Sequence, residues 1–213
     1  MKIAANSGGI ATTNSYLIAD EVTKQAVIFD APDHTVAPLL EEAKRRGYDL
    51  IGLWLTHGHF DHIADHAEVT GAFPNARVLI HPLDVPKLRK PGSSMFPLPF
   101  VVPPREPDGL VEDGQRLTIG SLNVDVIHTP GHAPGHVMYH FPDQRVLVGG
   151  DLIICGAVGR TDLPDSDERQ LIESIRKVMR LPDETQLLPG HCTPSTLADE
   201  RRTNPYVRAV LGG

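Results

Sequence analysis

Cysteine is almost absent from this chain. Cys155 and Cys192 are its two cysteines in 213 residues. They form no Cys-x-x-Cys pair and are too few for a disulfide framework, so two reduced thiols are expected. Aromatic residues are scarce at 5%, which points to a mainly aliphatic core. Positive charge is not in excess: 20 Lys and Arg stand against 27 Asp and Glu, a net −7 with histidine neutral. Nucleic acids and anionic membrane surfaces are bound by surplus cations, so neither is an expected partner. A small anionic substrate needs only one local Lys or Arg and stays possible. No apolar run reaches the roughly 20 residues of a membrane span. The N-terminal sequence lacks a basic stretch followed by an apolar run, so no signal peptide is expected and the default location is the cytoplasm.

Glycine and proline are plentiful at nineteen each, and they separate short apolar runs. Strands are predicted over 15–19, 26–30, 51–56, 77–81, 116–119, 122–128, 136–141, 145–148 and 186–189. Leu39, Leu40 and Ala43 recur at helical spacing within 36–46, and Gly47 supplies a stop. A second helix is predicted over 63–73. A third, over 166–180, carries Leu171, Ile172, Ile175, Val178 and Met179 on one stripe. A short helix is expected at the C-terminus. Pro91, Pro97, Pro99, Pro103, Pro104 and Pro107 fall within 90–108, where missing amide donors predict a surface loop long enough to cover a substrate. With no repeat or composition break, one domain over 1–213 is expected. Runs of strands joined by helices suggest two packed sheets with helices outside, an α+β arrangement.

The chemistry concentrates in Thr56-His57-Gly58-His59-Phe60-Asp61-His62, just after an apolar strand. Residues two apart in extended chain point the same way, so His57 and His59 can grip one metal ion. Asp61 and His62 follow as the chain leaves the strand and can face a neighbouring position. Imidazole with carboxylate suits zinc, with iron and manganese as competitors. The competing reading is a histidine loop held by its own hydrogen bonds. Three further segments weigh against it: Thr129-Pro130-Gly131-His132, Gly149-Gly150-Asp151 and Pro189-Gly190-His191. Each follows a predicted strand and ends in a ligand type. Strand ends on one edge of a sheet converge on one pocket.

In that order, these ligands resemble those of the metallo-β-lactamase superfamily. The segments 129–136, 159–164 (Gly-Arg-Thr-Asp-Leu-Pro) and 200–205 (Glu-Arg-Arg-Thr-Asn-Pro) are similar to the short, single-domain glyoxalase II-like hydrolases of bacteria. The resemblance implies an αββα four-layer sandwich with two zinc ions at one edge. It assigns His57, His59 and His132 to one ion and Asp61, His62 and His191 to the other, with Asp151 bridging. It also implies that no C-terminal glutathione-binding helical domain follows. The implied activity is hydrolysis of a small-molecule thioester, of the hydroxyacylglutathione type. Two metals about 3.5–4 Å apart can hold a hydroxide for attack on the carbonyl, and Asp61 is the expected catalytic residue that orients it. The alternatives are a mononuclear iron persulfide dioxygenase using only His57, His132 and Asp151, a non-catalytic metal-binding module, and a nuclease, which the acidic balance disfavours.

Outside the ligand set, Arg160 and Asp162 are expected to form an ion pair that fixes the loop beside Asp151. His128 and His136 divide between packing and support of a ligand.

Overall fold

Seven consecutive buried residues decide the architecture. In the computed structural model, which describes residues 1–212, strand β2 (Thr13–Ala19) is buried along its whole length. Alternate side chains leave opposite faces of a strand. Tyr16 and Ile18 join one apolar cluster, and Leu17 and Ala19 join another. A strand buried on both faces must lie in a sheet that is covered on both sides.

That sheet has the order β1 (Lys2–Gly8), β2, β3 (Gln25–Phe29), β4 (Asp49–Trp54), β5 (Arg77–Ile80), β6 (Gly109–Leu110). From β3 to β6 its strands run parallel. The second sheet has the order β14 (Ser195–Thr196), β13 (Gln186–Pro189), β10 (Val146–Gly150), β9 (Val137–Phe141), β8 (Leu122–His128), β7 (Arg116–Ile119). Between β10 and β13 it carries a hairpin of β11 (Ile153–Ile154) and β12 (Ala157–Val158). Tyr16, Ile18, Val27, Phe29 and Trp54 of the first sheet pack against Val124, Val137, Tyr139, Phe141, Val148 and Leu188 of the second.

Helices cover the outer faces. On the first sheet, Leu39, Leu40 and Ala43 of α1 (Ala37–Arg46), Val69 of α3 (His66–Ala72) and Val85 and Leu88 of α4 (Val85–Arg89) meet Leu17, Ile28 and Leu53. On the second, Leu171, Ile175 and Val178 of α5 (Glu168–Val178), Leu197 of α6 (Leu197–Thr203) and Val207 of α7 (Pro205–Gly212) meet Met138, Leu147 and Leu187. The result is the expected α+β sandwich with αββα layering. No described helix is long and apolar enough to cross a membrane.

Local chemistry sets the element ends. Helix α1 stops at Gly47, whose φ of 64° is open to glycine at little cost. Asp167 caps α5 by accepting from the amides of Arg169 and Gln170. The helix predicted over 63–73 is found as α3, which begins after Asp65 and is preceded by a separate single turn, α2 (Phe60–Ile63). Asp65 is taken up by long-range bonds, its amide donating to Ala31 O and its carboxylate accepting from the Thr35 amide. The single C-terminal helix expected is two, divided at Asn204, whose extended backbone precedes Pro205. Strand β1 was not anticipated, because its sequence lacks apolar alternation. It follows β2 in antiparallel register from Lys2 to Gly8.

The segment 90–108 has no helix or strand, as its prolines predict. It is nevertheless anchored: Val102 is buried, and Leu98 and Phe100 pack on the cluster beneath α1 and α4.

The core is mainly aliphatic, as expected, with a cluster of aromatic rings between the sheets. Phe29 lies edge-on to Trp54, Tyr139 and Phe141, with ring centroids 5.6, 5.1 and 6.1 Å away. Tyr16 joins them in the same cluster. Phe29→Ala is expected to cost about 3–5 kcal/mol of stability, read as a lowered urea midpoint with the denaturant slope unchanged.

Candidate metal centre

The ends of β3, β4, β5, β8, β10 and β13 and the starts of β2 and β9 lie at one edge of the sandwich. Backbone bonds join the two sheets there. Thr13 bridges to His191, the Asn14 amide donates to Gly190 O at 2.7 Å, and the Val137 amide donates to Thr56 O at 2.8 Å. The Tyr16 and Tyr139 hydroxyls donate to Pro189 O and Leu55 O.

All seven residues singled out from the sequence meet at this edge. They form three overlapping groups: His57, His59 and His132; His57, His62 and Asp151; and Asp61, His62 and His191. Within each, the potential donor atoms lie within 4.8 Å of one another. His59 Nδ1 is 3.0 Å from His57 Nε2 and 2.9 Å from His132 Nε2. Asp151 sits between the two sides: Oδ2 is 3.5 Å from His132 Nε2 and 3.2 Å from His191 Nε2, and Oδ1 is 3.5 Å from His62 Nε2. Asp61 Oδ2 is 3.6 Å from His62 Nε2 and 3.5 Å from His191 Nε2.

Outer hydrogen bonds fix which ring nitrogen faces inward. The Thr56 hydroxyl donates to Asp30 Oδ2, so its oxygen accepts from His57 Nδ1 and leaves Nε2 bare. His62 Nδ1 donates to Asp30 Oδ2 at 2.7 Å. His132 Nδ1 donates to Arg160 O, and His191 Nδ1 to Thr12 O. The Thr13 hydroxyl donates to Asp61 Oδ2 at 2.8 Å. Asp84, fully buried, accepts from the Gly58 amide on one oxygen and from the Gly135 amide on the other. It thereby ties the loop holding His57 and His59 to the loop following His132.

Two glycine-bearing turns let the chain come this close. A Cβ on Gly190 would fall 2.1 Å from Asp151 Oδ1 and 2.9 Å from His62 Cε1, so no larger residue fits behind the carboxylate. The other turn, Gly149-Gly150, aims Asp151; its amide donates to His136 Nε2 at 2.9 Å, while His136 Nδ1 meets the Thr129 hydroxyl. His136 thus supports the site. His128 instead stacks on His81, with centroids 4.2 Å apart and planes at 8°. Arg160 and Asp162 form the expected ion pair, at 2.6 Å.

Electrostatics divide the site. Burial, reinforced by neighbouring imidazoles, holds His57 well below the ordinary histidine value and takes His59 down to about 2. Burial also lowers His136, to about 3. Burial opposes charge on His62 as well, but Asp151, Asp30 and Asp61 outweigh it and hold His62 well above the ordinary value. His191 is raised against burial by Asp151. Burial pushes Asp151 up, yet His62 and His191 prevail and keep it well below the carboxylate range.

These residues fit a pair of cations. His57 Nε2 and His132 Nε2 carry no proton and lie within 3.0 Å of His59 Nδ1, which can donate to only one of them. Such convergence of lone pairs is repulsive unless a cation shares them. His62 Nε2 and Asp151 Oδ1 are buried without a hydrogen-bond partner, a costly state for polar atoms. Both point into the cluster.

Thr13, Asp30, Thr56 and Asp84 were not found from the sequence. Asp30 and Asp84 did carry a signal, since each follows a strand as the ligands do. Thr13 and Thr56 carried none.

The chain matches the Metallo-beta-lactamase superfamily over residues 8–191. It is 31% identical to hydroxyacylglutathione hydrolase GloC of Haemophilus influenzae over 205 residues, 92% of this chain and 93% of the relative. Among solved structures, BLEG-1 B3 metallo-beta-lactamase superposes with a TM-score of 0.87 at 31% identity, covering 97% of this chain and 99% of that one. TTHA1623 in a di-iron-bound form gives 0.77 at 33% identity, covering 95% and 99%.

Titration of metal-stripped protein with Zn²⁺ is expected to saturate at two ions per chain. Asp30→Asn should weaken the site formed by Asp61, His62 and His191 about 10–100-fold, measured by competition with a chromophoric chelator. Unchanged affinity for both ions would show that Asp30 does not support His62.

Proposed function

Because the chain belongs to the metallo-beta-lactamase superfamily, we propose that it is a metal-dependent hydrolase that uses two bound cations to cleave a small-molecule thioester. One observation carries the reading: Asp151 stands between two donor triads, 3.5 Å from His132 Nε2 on one side and 3.2 and 3.5 Å from His191 Nε2 and His62 Nε2 on the other. His57, His59 and His132 would hold one ion, and Asp61, His62 and His191 the other, with Asp151 reaching both. A mononuclear centre of His57, His132 and Asp151 would leave Asp61, His62 and His191 gathered for no purpose, the first two buried and the third half-buried. The di-iron form of TTHA1623 supports the same count of two. Imidazole and carboxylate donors suit zinc and iron alike, and the reading requires two cations rather than one particular element.

The chemistry such a pair supplies is Lewis acidity toward a carbonyl oxygen and hydroxide at neutral pH. The protein's own groups do the positioning. Thr13 fixes one Asp61 oxygen by a hydrogen bond, which orients the carboxylate to hold the attacking water and take up its proton. Asp30 and Arg160 O hold the outer Nδ1 atoms of His62 and His132 and so turn their Nε2 atoms toward the cluster. A thiolate leaves readily because thiols are far more acidic than alcohols, near pKa 8.5 for cysteine, so the leaving group needs no strong general acid. The cleft above the cluster has a volume of about 690 Å³, within the range for small-molecule sites. Lys90 lines it, has no ion-pair partner among the described residues, and supplies local positive charge for an anionic thiol carrier. The likeness to hydroxyacylglutathione hydrolase GloC supports the thioester, since a hydroxyacyl glutathione joins its acyl group to sulfur.

Metal-loaded protein is expected to release free thiol from S-lactoylglutathione or a related thioester. Chelation should abolish the release, and Asp61→Asn should lower kcat by about 10²–10⁴-fold. Loaded protein that frees no thiol from any of a broad thioester panel would sink the proposal.

A further inference from the structure

The cleft above the donor cluster is walled by apolar side chains outside the donor set, several of them left largely exposed. Ile10, Phe60, Met95, Phe96, Leu163 and Pro164 line it. Ile10 is 49% exposed, Met95 55% and Phe96 42%. Large apolar side chains left in water around one concavity mark a surface kept for a ligand.

The segment that carries Met95 and Phe96 shows that this exposure is not a failure to bury. Farther along the same segment, Leu98, Phe100 and Val102 turn inward onto the core. Its base is pinned by His66 Nε2 donating to Pro103 O and by the Arg105 amide donating to Leu88 O. Met95 and Phe96 are held over the cleft instead. The Phe96 ring meets Phe60 edge-on at 5.7 Å, and Phe60 lies between His59 and Asp61 in the chain. The Arg160 guanidinium contacts Met95 Sδ at 3.1 Å, and Arg160 O holds His132. The wall is therefore tied to both triads through residues next to the donors. Two of the cations beside it are already neutralised, Lys87 by Asp165 and Arg160 by Asp162.

We infer that the scissile thioester is flanked by an apolar group larger than a methyl, aliphatic or aromatic, which packs against Phe60, Met95 and Phe96. The inference rests on the thioester reading and narrows it. A small hydrophilic acyl group on a hydrophilic thiol would leave the wall wet. An apolar group dries it, and each methylene covered strengthens binding about fourfold.

Metal-loaded protein is assayed on two series of thioesters. One lengthens the acyl chain from acetyl to hexanoyl on N-acetylcysteamine. The other keeps acetyl and lengthens an alkyl thiol. Rising kcat/KM in the first series places the apolar group on the acyl side, and in the second on the thiol side. In either case the rise should be about fourfold for each methylene covered. In Met95→Ser/Phe96→Ser the ratio of longest to shortest member should fall toward one. In Val101→Ser, which alters an exposed residue of the same segment outside the cleft, the ratio should stay as in the parent. Cleavage with flat profiles in both series, or a ratio untouched by Met95→Ser/Phe96→Ser, overturns the inference and leaves the thioester reading standing. Cleavage of S-lactoylglutathione with no member of either series cleaved also overturns the inference, and failure on both series and on S-lactoylglutathione overturns the thioester reading itself.

Discussion

Three imidazole nitrogens within 3.0 Å, beside two carboxylates and two more imidazoles, form the constraint to which this fold answers. Left alone, bare nitrogens repel one another and buried carboxylates seek protons. Removing any of them from water is costly. The groups stay gathered because each is held from behind. Asp30, Arg160 O and Thr12 O take the outward protons of His62, His132 and His191, and the Thr56 hydroxyl takes that of His57. These bonds set the tautomers. They also turn the second ring nitrogen of each of these histidines inward beside the carboxylates of Asp61 and Asp151, a donor set complementary to cations.

The support extends to the backbone. Thr12, Asp30 and Cys192 all have positive φ, at 55°, 57° and 64°. For residues other than glycine this conformation is uncommon and costs about 1–3 kcal/mol each. All three lie at the site. Thr12 gives its carbonyl to His191, Asp30 gives its carboxylate to His62 and Thr56, and Cys192 follows His191 and accepts from Asn14 through its carbonyl. Three more such residues, Lys24, His34 and Arg145, lie elsewhere, but Thr12, Asp30 and Cys192 sit where the chain must turn to aim or hold a donor. Asp84 shows the same economy without strain, because one buried carboxylate fixes two loops through two amides.

This accounts for what was legible in the sequence. The ligands could be read because their chemistry is written in side-chain type and in the habit of strands ending in small residues before a donor: Gly131-His132, Gly150-Asp151, Gly190-His191. The layering could be read because strands such as β8 and β13 keep unbroken apolar patterns, and both fell at the predicted residues. The break at Asp65 could not, since it depends on partners at Ala31 and Thr35, thirty or more residues away. Strand β1 escaped because pairing with β2 overrides its weak local pattern. Thr13 and Thr56 escaped for a similar reason: a threonine becomes a lever on a ligand only when folding sets Asp61 or His57 against it.

The distribution of donors over the two sheets has an energetic consequence. His57, His59, Asp61 and His62 follow a strand of the first sheet, whereas His132, Asp151 and His191 follow strands of the second. Every one of the three donor groups takes members from both. A cation held by any of them therefore spans the gap between the sheets at the edge where backbone bonds already join them. Binding at such a site adds to stability in proportion to the logarithm of ligand over dissociation constant, about 2.7 kcal/mol at a hundredfold excess. On the proposed reading the same seven side chains, costly to gather without cations, would become cross-links between the sheets once ions bind. The aromatic hub around Phe29 and the backbone bonds at the edge hold the sheets together independently of them, so binding would add to a closure that already exists.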